Sequence, residues 1–575
     1  MIESIHFEYY KKLKDLDLSF DKRVTVISGV NGTCKTSLLH IISNAFQKVT
    51  SRCEWIKNDD DGKKGLDPIN STNNSINPKI EKLARGDKRY NNPAPGHKGS
   101  LYVIRYTNGV ELKFRPHTHV NKKSSRHSIK PPYGNKQEEK LPFCPVIYLG
   151  LSRLYPFGEF QDDEAIKDIV ANLPETYQKE INDLYYKFTH IRIASSSPQN
   201  MGSIKKRHDF TPDEEKNSIP GVDSNTISAG EESLLILLNS LVSLKYYYEV
   251  YRESYDKLNL EKEMFGSILL IDELDATFHP SYQSKILQYF LEYSKKYNIQ
   301  IIFTTHSLSL LESALRKKNC TVIYLRDNGD RVNSMLNPDI FRIRMHLFDK
   351  TRDETYANAY IPIFTEDEEA RFLLEMLFDH YKREKEDFRH ISDLLYLVTV
   401  NLGVDPLIEL FICKSKGNRY VMNGICVLDG DVNGLENNDN IRRREKIDRS
   451  KNANILTFFE KDSPERFLWK YATKLYEEPN SNFWEDPFIV NNNTTKRSYL
   501  SIKSEVDEVG NERGELKGIF NKNKSFFKDV FTWWLKDEKN KNEVDRFYNE
   551  FAKLFQRVAG PCGINPHELE SLGES

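Results

Sequence analysis

The sequence predicts an α/β fold built as two successive units, and three observations support this prediction. At 575 residues, the chain is longer than the roughly 250–300 residues that one hydrophobic core usually serves. Apolar, β-branched runs at 24–27 and 268–271 have the composition of buried strands, and segments of helical spacing alternate with them. The same alternation begins again near residue 355.

Composition restricts the class of protein. Hydrophobic residues make up 38% and charged residues 29%, which is typical of a polar but foldable protein with a large surface. The net charge of −2 gives no basic field over the whole molecule, so DNA binding would depend on a local patch or on bound metal ions. Seven cysteines without a Cys-x-x-Cys pair argue against a zinc ribbon and fit a reducing compartment. With no signal peptide and no apolar run of about 18 residues, we expect a cytoplasmic protein without a membrane partner.

The first unit is predicted to begin with short strands within 2–28, the last of which ends in Ser-Gly and leads to a helix at 38–46. A strong helix is expected at about 231–250. Buried strands at 268–271 and 301–304 follow it, and each ends in polar residues. Polar residues at the ends of buried strands are where an α/β fold usually carries its functional groups.

Two stretches of the first unit break this alternation. Residues 51–141 are polar and are predicted to be an insertion, although a hairpin is expected where Asn108-Gly109 separates two short apolar runs. Residues 155–215 are predicted to be a helical arm followed by a loop, because apolar residues recur at helical spacing over 163–192. An amphipathic helix packed on its own domain accounts for that spacing as well as a dimer contact does.

The second unit is predicted to contain a strand at 360–364, a helix at 368–381, and further strands at 425–428 and 455–459. The aromatic, lysine-rich remainder is predicted to be helical. The predicted domains are therefore a first unit at 1–350, a second α/β unit at 355–480, and a helical region at 481–575 that completes the second unit.

The first motif lies between the strand at 24–27 and the helix that follows it. Its glycines and its lysine have the spacing of a Walker A loop, in which backbone N–H groups and the helix N-terminus surround phosphates. Lys35 is expected to reach the β and γ phosphates of ATP, and the Thr36 hydroxyl to bind Mg²⁺. Cys34 stands where a glycine usually precedes the lysine, so we expect slow hydrolysis. The predicted nucleotide-binding residues of the loop are Gly29, Asn31, Gly32, Thr33, Cys34, Lys35, Thr36 and Ser37.

Three further motifs follow in a fixed order. The strand at 268–271 ends in Asp272, which is expected to hold Mg²⁺ through water, and in Glu273, which is expected to activate the attacking water. His306 follows the next strand, where it could contact the γ-phosphate. Upstream, the sequence from Ser228 to Gly230 opens a helix with small residues, and a helix N-terminus of this kind can bind phosphate.

Each motif is weak alone, since a solvated Asp-Glu pair, a capping serine or a glycine turn is common. The four occur in the order of an ABC-type ATPase, and Ser228-Ala229-Gly230-Glu231 resembles the ABC signature motif. Asp275 falls where the aspartate of that family's D-loop lies. In ABC and SMC-like ATPases the signature covers the nucleotide of the other protomer. The resemblance therefore implies ATP as the ligand and a homodimer or higher homo-oligomer formed through the ATPase domains.

The second unit carries its own acidic residues at strand ends. Glu366 follows the strand at 360–364, whereas Asp429 and Asp431 follow the strand at 425–428. Carboxylates gathered at one sheet edge suit Mg²⁺ or Mn²⁺, which activates water and stabilises a phosphodiester's leaving oxygen. We therefore interpret these three residues as a catalytic metal site of the TOPRIM pattern, and 367–369 as a solvated acidic helix start.

Taken together, the chain resembles the OLD family of nucleases, in which an ABC-type ATPase is joined to a C-terminal TOPRIM domain. Ser463-Pro464-Glu465 resembles that family's Pro-Glu segment, and Lys524-Ser525-Phe526-Phe527 resembles its lysine-plus-aromatic motif. The resemblance implies that Lys524 stabilises the transition state, with Lys517 and Lys528 as rivals, and that the substrate is DNA. The family's usual glycine after the first glutamate is Asp367 here.

The resemblance implies an effector of bacterial anti-phage defence. Some relatives act alone, and others act with a helicase-like protein or with a retron reverse transcriptase and its msDNA; the sequence does not choose among them. Two alternatives remain open at this point. One is a RecF/SMC-like repair ATPase with an inactive C-terminal domain, and the other is a scaffold that senses nucleotide without hydrolysing it.

Overall fold

The chain divides into two compact units, Met1–Leu347 and Phe348–Ser575. Parts of the predicted insertion, of the predicted arm and loop, and of the predicted C-terminal region lie outside the described residues. A computed structural model describes residues 1–570 apart from 51–52, 54–55, 57–59, 73–75, 87–88, 90–91, 118–125, 133–139, 171–172, 214–221, 259–265, 415–419, 435–437, 451–452, 480 and 510–512.

The first unit is centred on a largely parallel sheet. Its strand order is β14-β13-β3-β12-β11-β7, and only the edge pair β13–β14 is antiparallel. Strand β11 is buried at every position, as expected when helices cover both faces of a parallel sheet. The strands are β1 (Ile2–Tyr10), β2 (Leu13–Ser19), β3 (Val24–Gly29), β4 (Tyr102–Tyr106), β5 (Glu111–His117), β6 (Ser128–Lys130), β7 (Val146–Leu149), β8 (Ile166–Asp168), β9 (Ile193–Met201), β10 (Lys205–Pro212), β11 (Ser267–Ile271), β12 (Ile299–Thr304), β13 (Cys320–Asp327) and β14 (Val332–Ser334).

Helices connect these strands and cover the sheet. The helix after β3 buries Leu38, Leu39, Ile41 and Ile42, and its leucine and isoleucine spacing follows the helical period. None of the helices in the described part of the chain has both the length and the apolar character of a membrane span. The helices of this unit are α1 (Lys35–Asn44), α2 (Asp60–Thr72), α3 (Ile80–Leu83), α4 (Glu175–Thr189), α5 (Ala229–Leu258), α6 (Pro280–Lys296), α7 (Leu308–Leu315) and α8 (Ile340–Leu347).

The stretch predicted to be an insertion is partly integral to the fold. Strands β4, β5 and β6 extend β1 and β2 into an antiparallel sheet of order β2-β1-β4-β5-β6. The hairpin expected at Asn108-Gly109 is confirmed, with Gly109 at a φ of +80°. Tyr102 and Phe114 stack across it and are fully buried, so this hairpin contributes core rather than a surface loop.

The prediction of a helical arm and a loop over 155–215 is wrong in most of its extent. Among the described residues of this stretch, α4 is the one α-helix and two 3-10 turns precede it, whereas β8, β9 and β10 form a small antiparallel sheet. Lys205, Arg207 and His208 are buried in β10, and Lys205 pairs with Glu232. Polar residues buried through distant partners gave this hairpin the composition of a loop, which is why the sequence pattern was misleading.

The second unit is a smaller α/β structure. Its sheet has the order β16-β15-β17-β18 and is parallel throughout. The predicted strands near 360, 425 and 455 are confirmed. The strands are β15 (Ile361–Thr365), β16 (Leu395–Leu397), β17 (Ile425–Leu428) and β18 (Ile455–Thr457).

The helical C-terminal region packs into the core of this same unit. Phe527, Phe531 and Phe551 are fully buried in one cluster with Ile363 of β15 and Leu373. The helices are α9 (Arg352–Tyr356), α10 (Glu368–Glu384), α11 (Glu386–Ile391), α12 (Val404–Ile412), α13 (Asn438–Arg449), α14 (Pro464–Glu477), α15 (Pro487–Asn491), α16 (Lys496–Val509), α17 (Arg513–Lys522), α18 (Lys524–Lys536) and α19 (Lys541–Ala559).

Candidate functional site

The phosphate-loop candidate spans the turn from β3 to α1. Gly29 has a φ of +148°, and a Cβ there would lie 2.3 Å from the carbonyl oxygen of Leu325, so only glycine fits. Gly32 also has a positive φ of +85°, and it forms with Asn31 the exposed tip of the loop. The Thr33 hydroxyl donates to the carbonyl of Val30 at 2.8 Å and closes the turn. The loop therefore takes a compact shape that glycine makes possible.

Cys34 adopts the left-handed conformation, with φ 66° and ψ 20°, directly before α1. A side chain in this region costs roughly 1 kcal/mol, which glycine would not incur. The next residue, Lys35, is 8% exposed, and its ammonium donates to the carbonyls of Gly29 (2.9 Å) and Val30 (3.0 Å). Burial lowers the pKa of Lys35, although the nearby Glu273 opposes this. The loop thus holds its cation inside its own turn.

Asp272 joins the phosphate loop to the end of β11. The Thr36 hydroxyl donates to Asp272 Oδ2 at 2.9 Å, and the Thr304 hydroxyl donates to Oδ1 at 2.7 Å. Asp272 is 1% exposed, so its carboxylate is fixed by these contacts. The structure therefore brings together Thr36 and Asp272, the two residues predicted to hold Mg²⁺. Next to Thr36, Ser37 accepts a hydrogen bond from the Lys11 ammonium at 2.9 Å.

Glu273 and His306 lie on two neighbouring turns. Glu273 has a φ of +47°, and its N–H donates to the Thr304 hydroxyl at 2.7 Å. The His306 N–H donates to Asp275 Oδ1 at 3.2 Å, and the Thr305 hydroxyl donates to the same oxygen at 2.6 Å. Asp275 therefore fixes the backbone that carries the exposed His306 side chain.

The signature-like segment caps α5. Ser228 and Glu231 form reciprocal hydrogen bonds, since Ser228 N–H donates to Glu231 Oε2 at 2.8 Å and Glu231 N–H donates to Ser228 Oγ at 3.3 Å. A Cβ at Gly230 would lie 2.6 Å from the carbonyl oxygen of Thr277, so this glycine permits close contact with the turn that follows Asp275. Among the described residues, no hydrogen bond joins Ser228 or Gly230 to the loop at 29–37.

Arg153 is a functional candidate that the sequence reasoning missed. Its guanidinium donates to the carbonyls of Asp272 (2.7 Å) and Glu273 (2.8 Å), and its Nε donates to the Ser233 hydroxyl of α5 at 3.2 Å. It is 4% exposed; burial lowers its pKa to about 10, against the opposing effect of Asp272. Arg153 thus ties the acidic turn to the signature helix. A charged residue soon after the buried strand β7 was its one sequence signal.

Three histidines of the first unit are held neutral. Burial lowers the pKa of His40, His127 and His208 to about 4 each. His40 lies on α1, where its Nε2 contacts the Tyr148 hydroxyl at 3.1 Å, and Asp272 partly opposes the shift of its pKa. These imidazoles make the unit sensitive to acid.

In the second unit, Glu366, Asp429 and Asp431 come together. Their carboxylate oxygens lie within 4.8 Å of one another, at the carboxyl ends of the neighbouring strands β15 and β17. The Asp429 N–H donates to Glu366 Oε1 at 2.9 Å, and Asp429 is fully buried. A Cβ on Gly430 would lie 2.1 Å from the carbonyl oxygen of Glu460, which explains why glycine separates the two aspartates.

A second group of charges surrounds the start of α10. Asp367 caps this helix by accepting from Ala370 N–H at 3.0 Å, and Lys517 pairs with it. Burial raises the pKa of Asp367, but Lys517 and the Ala370 N–H outweigh it and leave that pKa below its usual value. Glu369 is 5% exposed and lies 3.5 Å from Lys517, so the expectation of a solvated acidic start is wrong for this residue.

The predicted catalytic lysine, Lys524, pairs with the exposed Glu368. Its rival Lys517 lies in a more acidic environment. Burial lowers the pKa of Lys517, whereas Asp367, Glu369 and the fully buried Glu465 together raise it above its usual value. Lys528 is exposed. Two of the three candidate lysines therefore contact carboxylates that directly follow Glu366.

The comparisons with known proteins each cover part of the chain. Residues 195–312 match the family described as "AAA domain, putative AbiEii toxin, Type IV TA system". Among solved structures, the SMC head domain from Thermotoga maritima shares 12% identity (58% of this chain and 98% of that chain covered, TM-score 0.29). RecF bound to ATP, a recombination mediator protein of the RecFOR pathway, also shares 12% identity (58% and 97% covered, TM-score 0.28). No curated protein matches. The order and geometry of its motifs, with the match over 195–312, give the first unit the fold of an ABC/SMC-type P-loop ATPase.

Proposed function

We propose that this protein is a divalent-metal-dependent DNA endonuclease that is regulated by ATP. Phosphodiester hydrolysis is assigned to Glu366, Asp429 and Asp431 in the second unit. The observation that carries the proposal is that these three carboxylates, from the ends of two adjacent parallel strands, lie within 4.8 Å of one another. Neither a repair ATPase nor a nucleotide sensor needs such a cluster in its second unit.

The donor chemistry fits Mg²⁺ or Mn²⁺. The three groups offer only oxygen ligands, which these hard cations prefer. Two carboxylates 4.8 Å apart repel each other by about 3.5 kcal/mol at an effective dielectric constant of 20. When bound, a divalent ion lowers the pKa of water and neutralises charge on the phosphodiester. The protein's own contribution is to fix the carboxylates through the Asp429 N–H and the close contact at Gly430.

A plasmid-cleavage assay tests the nuclease proposal. We expect nicking or linearisation with Mg²⁺ or Mn²⁺, loss of cleavage in Asp429→Ala, and unchanged cleavage in Asp393→Ala, whose carboxylate is 91% exposed. Both variants should retain the wild-type circular dichroism spectrum. Cleavage by Asp429→Ala at the wild-type rate would overturn the assignment. Lys517→Ala and Lys524→Ala, measured in the same assay, decide which ammonium supports the chemistry.

We assign the first unit the role of an ATP-dependent regulator. Lys35, Thr36 and Asp272 would hold the nucleotide and its Mg²⁺, and Glu273 would activate water. Ser228 and Gly230 would complete the site of a second protomer, which agrees with the lack of a hydrogen bond between them and the phosphate loop among the described residues. Lys35→Ala should lose ATP affinity; unchanged affinity would remove the assignment.

The left-handed Cys34 supports slow turnover, so a nucleotide-sensing scaffold is the second candidate for this unit. Phosphate release by the wild-type protein above that of Glu273→Gln separates hydrolysis from sensing alone. For the biological setting, we propose an effector that damages DNA during anti-phage defence. The match to a toxin family of a type IV toxin–antitoxin system supports a harmful effector.

A further inference from the structure

A cavity of about 470 Å³ opens in the second unit beside the end of β18. Its polar walls come from Asn433, Thr457 and three cationic side chains. The cations are Arg444, Lys461 and Arg546, and Glu550 is the one carboxylate in the lining. The cavity therefore has a surplus of positive charge, although the whole chain has a net charge of −2.

The cationic side chains that line this cavity make different contacts from the cationic side chains near them. On α13, the side chains of Arg443, Lys446 and Arg449 pair with carboxylates. Arg444 on the same helix instead donates to the side-chain oxygen of Asn433. In the described part of the chain, Arg444, Lys461 and Arg546 form no ion pair. Cations that converge on a cavity without carboxylate partners provide a site for an anionic ligand.

The cavity borders the carboxylate cluster. Asn433 ends the 3-10 turn Gly430–Asn433, which also carries Asp431. Its side chain donates to the carbonyl of Phe458 at 3.0 Å and accepts from the Thr457 hydroxyl at 3.2 Å. Strands β17 and β18 are neighbours in the sheet, and adjacent strands lie about 4.8 Å apart. The cavity at the end of β18 therefore lies next to the carboxylate cluster, whose two aspartates follow β17.

We propose that this cavity binds a backbone phosphate of the DNA strand that the carboxylate cluster cuts. The inference rests on the proposed nuclease function and adds a positioning subsite to it. The two guanidinium groups can hold phosphate oxygens bidentately, and the ammonium adds a third charge-assisted contact. Contacts of this kind fix the register of a strand without reading its sequence. They also release counterions, so binding at the subsite must weaken as salt rises.

The test compares two multiple variants of the full chain. In the first, Arg444, Lys461 and Arg546 are each changed to Gln; in the control, Arg442 and Arg449 of the same helix are changed to Gln. Binding of a fluorescent DNA duplex is measured without divalent ions at several salt concentrations. We expect the first variant to bind at least roughly tenfold more weakly. Its slope of log affinity against log salt should fall by about one to three. The control variant should match the wild type within about twofold.

The outcomes separate this inference from the nuclease proposal. If the first variant binds DNA with wild-type affinity and salt slope while Asp429→Ala abolishes cutting, the subsite is refuted and the nuclease stands. If the wild-type protein never cuts DNA but the first variant loses affinity and salt slope, the nuclease fails, and the cavity stands as a DNA-phosphate site without a role in cutting. A third outcome would overturn the proposal by assigning the cavity to a free phosphate compound. In that outcome, submillimolar inorganic phosphate raises the melting temperature of the wild-type protein but not that of the first variant, and the first variant binds DNA with wild-type affinity.

Discussion

Replacement of Arg153 by Met should destabilise the first unit and release the turn that carries Asp272 and Glu273 from helix α5. The guanidinium is 4% exposed and supplies hydrogen bonds to the carbonyls of Asp272 and Glu273 and to the Ser233 hydroxyl. Methionine has a similar length but no donor, so it fills the space and leaves those acceptors unsatisfied. The substitution therefore isolates the polar contribution from the packing contribution.

The magnitude follows from the contacts. Each buried carbonyl that loses its partner costs about 1–3 kcal/mol, so the two together cost roughly 2–6 kcal/mol. The apolar Met side chain recovers part of this, and we take about 3 kcal/mol as the expected loss in the free energy of unfolding. At the lower end of the usual range, about 2 °C per kcal/mol, the melting temperature of the unit should fall by about 6 °C.

Differential scanning calorimetry with a matched control measures this effect. Arg316 pairs with Glu312 on the surface, and its side chain is 75% exposed, so Arg316→Met should shift the melting temperature by less than about 1 °C. ATP hydrolysis should decline more than ATP binding in Arg153→Met, because the turn that carries Glu273 loses its support while Lys35 is untouched. A melting temperature equal to that of Arg316→Met would refute the reasoning.

Three further predictions concern acid stability and two backbone positions. The buried imidazoles stabilise the fold fully above about pH 6.5, and this contribution, up to about 3 kcal/mol each, is lost as the pH falls towards 4. The melting temperature of His208→Gln should therefore decline less than that of the wild type between these two pH values. Gly430→Ala should reduce metal-dependent cleavage more than tenfold by forcing the aspartate turn away from Glu460, whereas Gly518→Ala, with open space around it, should not; equal rates would contradict this. Cys34→Gly should relieve roughly 1 kcal/mol of backbone strain and speed phosphate release, and an unchanged rate would show that the loop does not limit turnover.

The sequence predicted those parts of the sites whose signals are local. The loop at 29–37, the acids after β11 and the acids after β15 and β17 each follow a buried strand directly, so strand composition and position identify them together. Parallel strands end at one sheet edge, and residues far apart in sequence, such as Glu366 and Asp429, therefore meet there. The hairpin at Asn108-Gly109 belongs to the same class, because its turn chemistry is contained in two residues.

The parts that escaped prediction depend on partners that are distant in sequence. Lys205 looked like a solvated loop residue because its carboxylate partner, Glu232, lies on another element. Arg153 belongs to no recognisable motif, and its structural role depends on hydrogen bonds to the carbonyl groups of residues 272 and 273. The sequence pattern placed Glu369 in a solvated helix start, but in the structure Lys517, from the C-terminal helices, pairs with it. A buried charge is recognisable only with its partner, and composition alone assigns such residues to the surface.

Both candidate sites contain acidic residues, and cationic groups lie near the acids in each unit. In the first unit, Lys35 and Arg153 stand close to Asp272 and Glu273, so positive groups of the chain already offset the acids there. In the second unit, Lys517 and Lys524 offset Asp367, Glu368 and Glu369, the acids that directly follow Glu366. Three carboxylates held within 4.8 Å of one another repel each other, and a divalent cation bound among them would relieve that repulsion. Added Mg²⁺ or Mn²⁺ should therefore raise the melting temperature of the wild-type protein, and Asp429→Ala should lose most of that increase even when ATP is absent; an equal increase in both proteins would place the principal metal site elsewhere.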